Sequence, residues 1–109
     1  MTGGRQAPRH ILNEAHLARQ TMGDGELQRE ILALFIDEAE RLLRQAREAS
    51  GPQIRAERVH ALKGLARNVG AERLADAAAA AEARALEGDE ELSELAACVA
   101  EVVAHLSGR

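Results

Sequence analysis

A chain of 109 residues is the length of one domain, and such a domain removes about 65% of its unfolded surface from water, enough for one modest core. Apolar residues at 46%, charged residues at 29% and only two prolines give the composition of a soluble globular protein, which excludes a disordered tail or a collagen-like repeat. A net charge of −4, a single Phe and no Trp or Tyr leave neither an overall attraction for phosphate backbones and anionic lipid nor an aromatic platform, so neither nucleic acid nor membrane is an expected partner.

Residues Met1 to Pro8 lack the apolar segment of a signal peptide, and residues 1–10 read as a flexible tail ahead of a domain at 11–107. A short helix is expected from Asn13 to Met22, on Ala15, Leu17 and Ala18. Four punctuation points divide the remainder of the chain: Gly23-Asp24-Gly25, Ser50-Gly51-Pro52, Gly70 and Gly88-Asp89. Between the first two, residues 24–49 space Leu27, Ile31, Leu34, Phe35, Leu42, Ala46 and Ala49 as a helical stripe, with Asp24 as N-cap and Glu40–Arg44 as an i,i+4 pair outside it. Residues 52–69 place Ile54, Leu62, Leu65, Ala66 and Val69 on one side. Ser50 with Gln53 reads as a capping box, or the same residues end the preceding helix at Gly51.

Residues 71–87 hold Leu74, Leu86 and nine alanines, a slim helix that lets a neighbour come close. Residues 89–107 carry the cleanest stripe: Leu92, Leu95, Ala96, Val99, Val102, Val103 and Leu106. Cys98 flanks it as a small hydrophobe and has no second thiol to pair with, which fits a reducing cytoplasm. No run approaches the roughly 18 apolar residues of a membrane span, and nothing alternates with period two. The expected fold is all-α: an antiparallel up-down-up-down four-helix bundle with a short additional N-terminal helix.

Chemistry concentrates in residues 52–69. With His60 at zero on a helical projection, Arg67 falls at about −20°, Gly64 at about +40° and Lys63 at about −60°, whereas Leu62 and Val69 lie opposite. His60 therefore faces away from its helix's own core stripe, beside two cations and a glycine. A mid-helix glycine costs about 1 kcal/mol against Ala, so Gly64 needs a packing or functional reason. Arg55, Arg58, Lys63 and Arg67 against Glu57 give the segment a local charge of +3 in a protein of net −4. An exposed imidazole, mostly unprotonated at neutral pH, is a nucleophile, and flanking cations stabilise a phosphoryl group in transfer.

The string His60-Ala61-Leu62-Lys63-Gly64-Leu65-Ala66-Arg67-Asn68-Val69-Gly70-Ala71 resembles the signature of histidine phosphotransfer (HPt) domains, a His-x-Leu-Lys-Gly run closed by an apolar residue, Gly and Ala. The resemblance runs on to Ala81-Glu82, where the family usually has Leu-Glu, and back to Leu34-Phe35, covering about residues 11 to 106. It implies a phosphorelay intermediate: His60 takes a phosphoryl group from an aspartyl phosphate on one receiver domain and passes it to an aspartate on another. By the same resemblance Lys63 would stabilise the phosphoryl group and Gly64 would give a receiver clearance, and Arg67, the other cation beside His60, is expected to join Lys63. The partners implied are response-regulator receivers and a sensor or hybrid histidine kinase. No cofactor or metal of its own is expected, since the Mg²⁺ of such transfers would sit on the receiver's carboxylates. Without the glycine-rich loops of an ATP-binding domain, the chain is expected to be a phosphocarrier and not an enzyme, freestanding in the cytoplasm as a monomer.

Helices that turn back at Gly70 set position 60 roughly level with position 82. A carboxylate at Glu82 could accept the Nδ1 proton of His60 and leave Nε2 as nucleophile, the part a glutamate at this offset plays in chemotaxis-kinase members of the family. Leu65 stands where the family usually has a small residue, and at about +140° it can join the core. The receiver is expected on the exposed side of helices 24–49 and 52–69, over Ala56 and Ala61. His10, His16 and His105 lie scattered without metal-ligand spacing and are expected at the surface. Two rival readings are a module of the same fold that binds a receiver or kinase without carrying phosphate, and a small helical oligomerisation scaffold. An intact His60, Lys63 and Gly64 speak against the first, and the polar histidine-bearing face against the second.

Overall fold

The computed structural model describes residues 9–108, so the first eight residues of the expected tail lie outside the described part. Five helices follow one another: α1 (Glu14–Thr21), α2 (Gly25–Glu48), α3 (Pro52–Val69), α4 (Glu72–Leu86) and α5 (Ser93–Ser107). No strand occurs among the described residues. Connections of a few residues leave consecutive helices no course but to turn back on one another. Accordingly α2 packs on α3, α3 on α4 and α4 on α5, while α5 returns to α2 and closes the four-helix bundle. The short α1 lies outside it, against α2.

The helix ends follow from their residues. Asp24 caps α2 as its spacing predicts, its carboxylate accepting from the backbone N–H groups of Glu26 and Leu27. The Ser50–Gln53 capping box does not form: Gly51 is the N-cap of α3 with no side-chain bond, and Pro52 starts the helix with a preset φ and no N–H to satisfy. The preceding helix has already ended at Glu48. On the outer face of α2 the ion pair joins Glu38 to Arg41, while Glu40 and Arg44 both stand exposed.

Phe35, Leu62, Leu74, Leu95, Val59 and Val102 of the bundle and Leu17 of α1 are the large side chains sealed inside, joined by the alanines of α4. Three residues assigned to apolar stripes are instead exposed, Leu27, Leu34 and Ile54, and so is Leu86. In α2 the buried set is Leu32, Phe35, Ala39, Leu42, Leu43 and Ala46, so the stripe is turned by part of a residue and Leu34 falls off its edge. Leu86 is the last residue of α4. Leu65 is half-buried against the core, as its angle predicts, and Cys98 is half-buried rather than sealed.

The turn between α3 and α4 is gripped from the N-terminal side. Gly70 ends α3 at φ +88°, left-handed backbone that glycine adopts without penalty. Its carbonyl accepts from Asn13 N–H at 2.8 Å, and the carbonyl of His10 accepts from Arg73 N–H at 3.0 Å. Glu72 takes both His10 N–H and the Asn13 side-chain amide, and the Arg9 guanidinium bonds Asp76. Arg9 and His10, read from sequence as tail, are thus joined to α4. His16, expected to be free at the surface, is half-buried and donates from Nε2 to the carbonyl of Asn68, because a carbonyl can only accept.

Candidate functional site

The close α3–α4 pairing sets up the site. Alanines at 75, 78, 81 and 85 are buried between the helices, so their backbones run side by side, and the turn at Gly70 fixes which residues stand level. Position 82 comes to rest beside positions 60 and 63, as counting from the turn predicts. His60 Nδ1 lies 2.8 Å from Glu82 Oε2, and Lys63 Nζ lies 2.6 Å from Glu82 Oε1.

This arrangement fixes a tautomer. An ionised carboxylate has no hydrogen to give, so the proton of the neutral ring sits on Nδ1 and the lone pair on Nε2. Glu82 is held ionised: the hydrogen bond from Lys63 pulls its carboxyl below the usual carboxylate range, and the bond from His60 acts in the same direction against partial burial. Exposure grades across the group. The side chains of Lys63 and Glu82 are 17% and 20% exposed, whereas the His60 ring is 66% exposed. The ring is largely in solvent and the carboxylate that holds it is sheltered.

Of the sequence-derived residues, His60, Lys63 and Glu82 meet directly. Arg67 is exposed on the same face of α3 and has no hydrogen-bond or ion-pair partner among the described residues. Gly64 is exposed, and a Cβ built on it would meet nothing within 4 Å. A close helix crossing therefore does not explain this glycine. Its conformational cost is matched by no packing among the described residues.

Two expectations around the site are corrected. Arg55 is not part of a basic island: it is 5% exposed and donates from Nη2 to the carbonyl of Ala49. At about −140° from His60 it points to the bundle's inside, and Arg58 is half-buried, so the cations on the histidine face are Lys63 and Arg67. Ala56 cannot be covered by a partner either, being 5% exposed on the flank that α4 already occupies; Ala61, on the other flank, is exposed.

That other flank holds a feature that the apolar stripes did not foretell. Between α2 and α3, with Gln20 of α1 at one end, runs a groove of about 590 Å³ lined by Ile31, Leu34, Phe35, Leu65 and Asn68. Leu34, 70% exposed, is its rim. The mark it leaves in the sequence is the double apolar step Leu34-Phe35, of which Phe35 is buried and Leu34 exposed. Among the described residues no group of three or more His, Cys, Asp or Glu stands together as a metal site would require, and no helix is long and apolar enough to cross a membrane.

No curated protein and no solved structure gives a match to the chain. The family model described as Hpt domain matches residues 30–106, which covers α3, α4, all of α2 but its first five residues and all of α5 but its last. With a five-helix fold and the His60–Glu82–Lys63 group at its surface, the chain belongs to the Hpt domain family, the histidine phosphotransfer modules of phosphorelays.

Proposed function

We propose that His60 is the phosphoacceptor, taking a phosphoryl group from an aspartyl phosphate on one receiver domain and delivering it to an aspartate on another, with a sensor or hybrid kinase upstream. The single observation that carries the reading is the bond from Nδ1 to Glu82, which leaves a solvent-facing Nε2 with a free electron pair. Nε2 attacks phosphorus, the P–O bond to the donor carboxylate breaks, and its electron pair leaves with that carboxylate. The ring keeps the Nδ1 proton and becomes positive, and the adjacent Glu82 carboxylate balances that charge. Delivery reverses these steps, so the protein returns unchanged and acts as a carrier. Mg²⁺ belongs, on this reading, to the receiver's carboxylates.

The receiver would dock on α2 and α3, with the groove at Leu34 and Leu65 on one side of Gly64 and the His60–Glu82 pair on the other. A transient contact at the small end of interface sizes suits a carrier that must release both partners.

Incubation with a phosphorylated receiver tests the assignment. Wild type should take up acid-labile, alkali-stable label and His60→Gln none; equal labelling of both would remove His60 from the mechanism.

A further inference from the structure

Two cations stand beside His60, and their surroundings differ. The Lys63 ammonium is sheltered and bonded to Glu82 Oε1, while the other oxygen of that carboxylate takes the Nδ1 proton of His60. Lys63 is thus tied in on the Nδ1 side of the ring. The two nitrogens of an imidazole point in diverging directions, so a phosphoryl group on Nε2 projects away from the Glu82–Lys63 pair. Moving Lys63 to meet it would strip a mostly buried carboxylate of a charge-assisted bond.

Arg67 has the opposite setting. It is exposed and without a partner among the described residues, at about −20° from His60 and about 10 Å further along the axis. Helical side chains lean over the turn N-terminal to their own Cα, so Arg67 leans back toward His60 across position 64. That position is the bare glycine, whose missing Cβ would have met nothing and therefore marks open surface. A guanidinium is also the better match to two phosphoryl oxygens at once.

We propose that the two cations divide the work: Lys63 is a positioning residue that holds Glu82, and Arg67, reaching over the backbone at Gly64, is the group that meets the phosphoryl oxygens on His60 Nε2. This rests on His60 as phosphoacceptor and assigns the charge at that same site. The transfer step is unchanged: no proton moves, and Arg67 donates N–H groups to oxygens that keep their charge as the Nε2–P bond forms.

Phosphoramidate is a sufficient test donor, its P–N bond breaking as ammonia leaves and the Nε2–P bond forms. Wild type, Arg67→Ala, Arg67→Lys, Lys63→Ala and His60→Gln are compared by the rate of phosphohistidine formation, by the pH midpoint of the phosphoryl ³¹P signal, and by the ¹⁵N shifts of the unphosphorylated His60 ring. Arg67→Ala should lower the rate roughly 10-fold, the loss of one charge-assisted contact, raise the phosphoryl midpoint and leave the ring tautomer as in wild type. Arg67→Lys should recover part of both. Lys63→Ala should change the balance of ring tautomers and leave the phosphoryl midpoint in place. A midpoint that moves in Lys63→Ala and not in Arg67→Ala overturns the assignment, as does an Arg67→Ala protein equal to wild type in rate and midpoint. Label absent from wild type, or equal on His60→Gln, defeats the phosphoacceptor reading instead.

Discussion

Gly64 and Gly70 lie six residues apart, one inside α3 and the other at its C-cap, and their surroundings are opposite. At Gly70 the backbone is left-handed, and an added Cβ would stand 3.1 Å from the His16 ring and 3.2 Å from Asn13. Everything around it is filled by the N-terminal segment. At Gly64 the backbone is ordinary helix and an added Cβ would stand in empty space. One glycine is required by the molecule's own fold; for the other the fold gives no reason, and the proposed docking of a receiver would supply one. The general lesson is that one short motif can mix folding and functional residues, and the space around each backbone atom separates them.

Substitution at both positions puts the contrast to the test. Gly70→Ala combines a φ that L residues resist with three contacts tighter than van der Waals distance, so it should destabilise the bundle by about 2 kcal/mol, a fall in Tm of about 10 °C. A thermal melt equal to wild type would mean that the turn relaxes freely and that the N-terminal grip is loose. Gly64→Ala should move stability the other way, by about 1 kcal/mol or about 5 °C upward in Tm, because helix propensity improves and nothing is displaced. The same variant should slow transfer from a phosphorylated receiver. A Tm that drops would reveal packing at position 64, and an unaltered transfer rate would remove the need for clearance there.

The same contrast explains what was legible in the sequence. The bundle was, because Leu62, Leu74, Leu95 and Val102 repeat at helical spacing and only packed helices can hide them. The His60–Glu82 contact was legible by counting from Gly70, since the turn is tight and both helices are regular. What escaped depends on neighbours that periodicity does not name. Arg55 looked like a surface cation until its angle was set against α3's inward side, and Ala56 is buried because the slim, alanine-rich α4 lies close on that flank. The grip of Asn13, His16 and Glu72 on the turn joins residues far apart in the chain through single polar contacts, several of them to backbone groups, and such bonds leave almost no mark on the apolar pattern.

Glu72 and Glu82 carry the contrast into pH. Both carboxyls are held below the usual carboxylate range in the folded protein, Glu72 chiefly by the backbone N–H of His10 and then by the Asn13 amide, Glu82 chiefly by Lys63. A carboxyl whose folded pKa is depressed contributes stability that is complete above its unfolded pKa, near 4.5, and that is lost as pH falls through the folded value. Each therefore makes wild type more acid-sensitive than its glutamine variant below about pH 4.5. Urea midpoints at pH 7 and pH 3.5 should draw closer together in Glu72→Gln and in Glu82→Gln alike. At pH 7 the two variants part. Glu82→Gln should slow phosphoryl transfer, because an amide releases Lys63 and can turn its NH₂ toward Nδ1, favouring the tautomer that carries the proton on the attacking nitrogen. Glu72→Gln should transfer at the wild-type rate, since its partners hold the turn and touch nothing that reacts. Equal slowing in both would tie the N-terminal grip to the position of Glu82 and join two regions that the glycines separate.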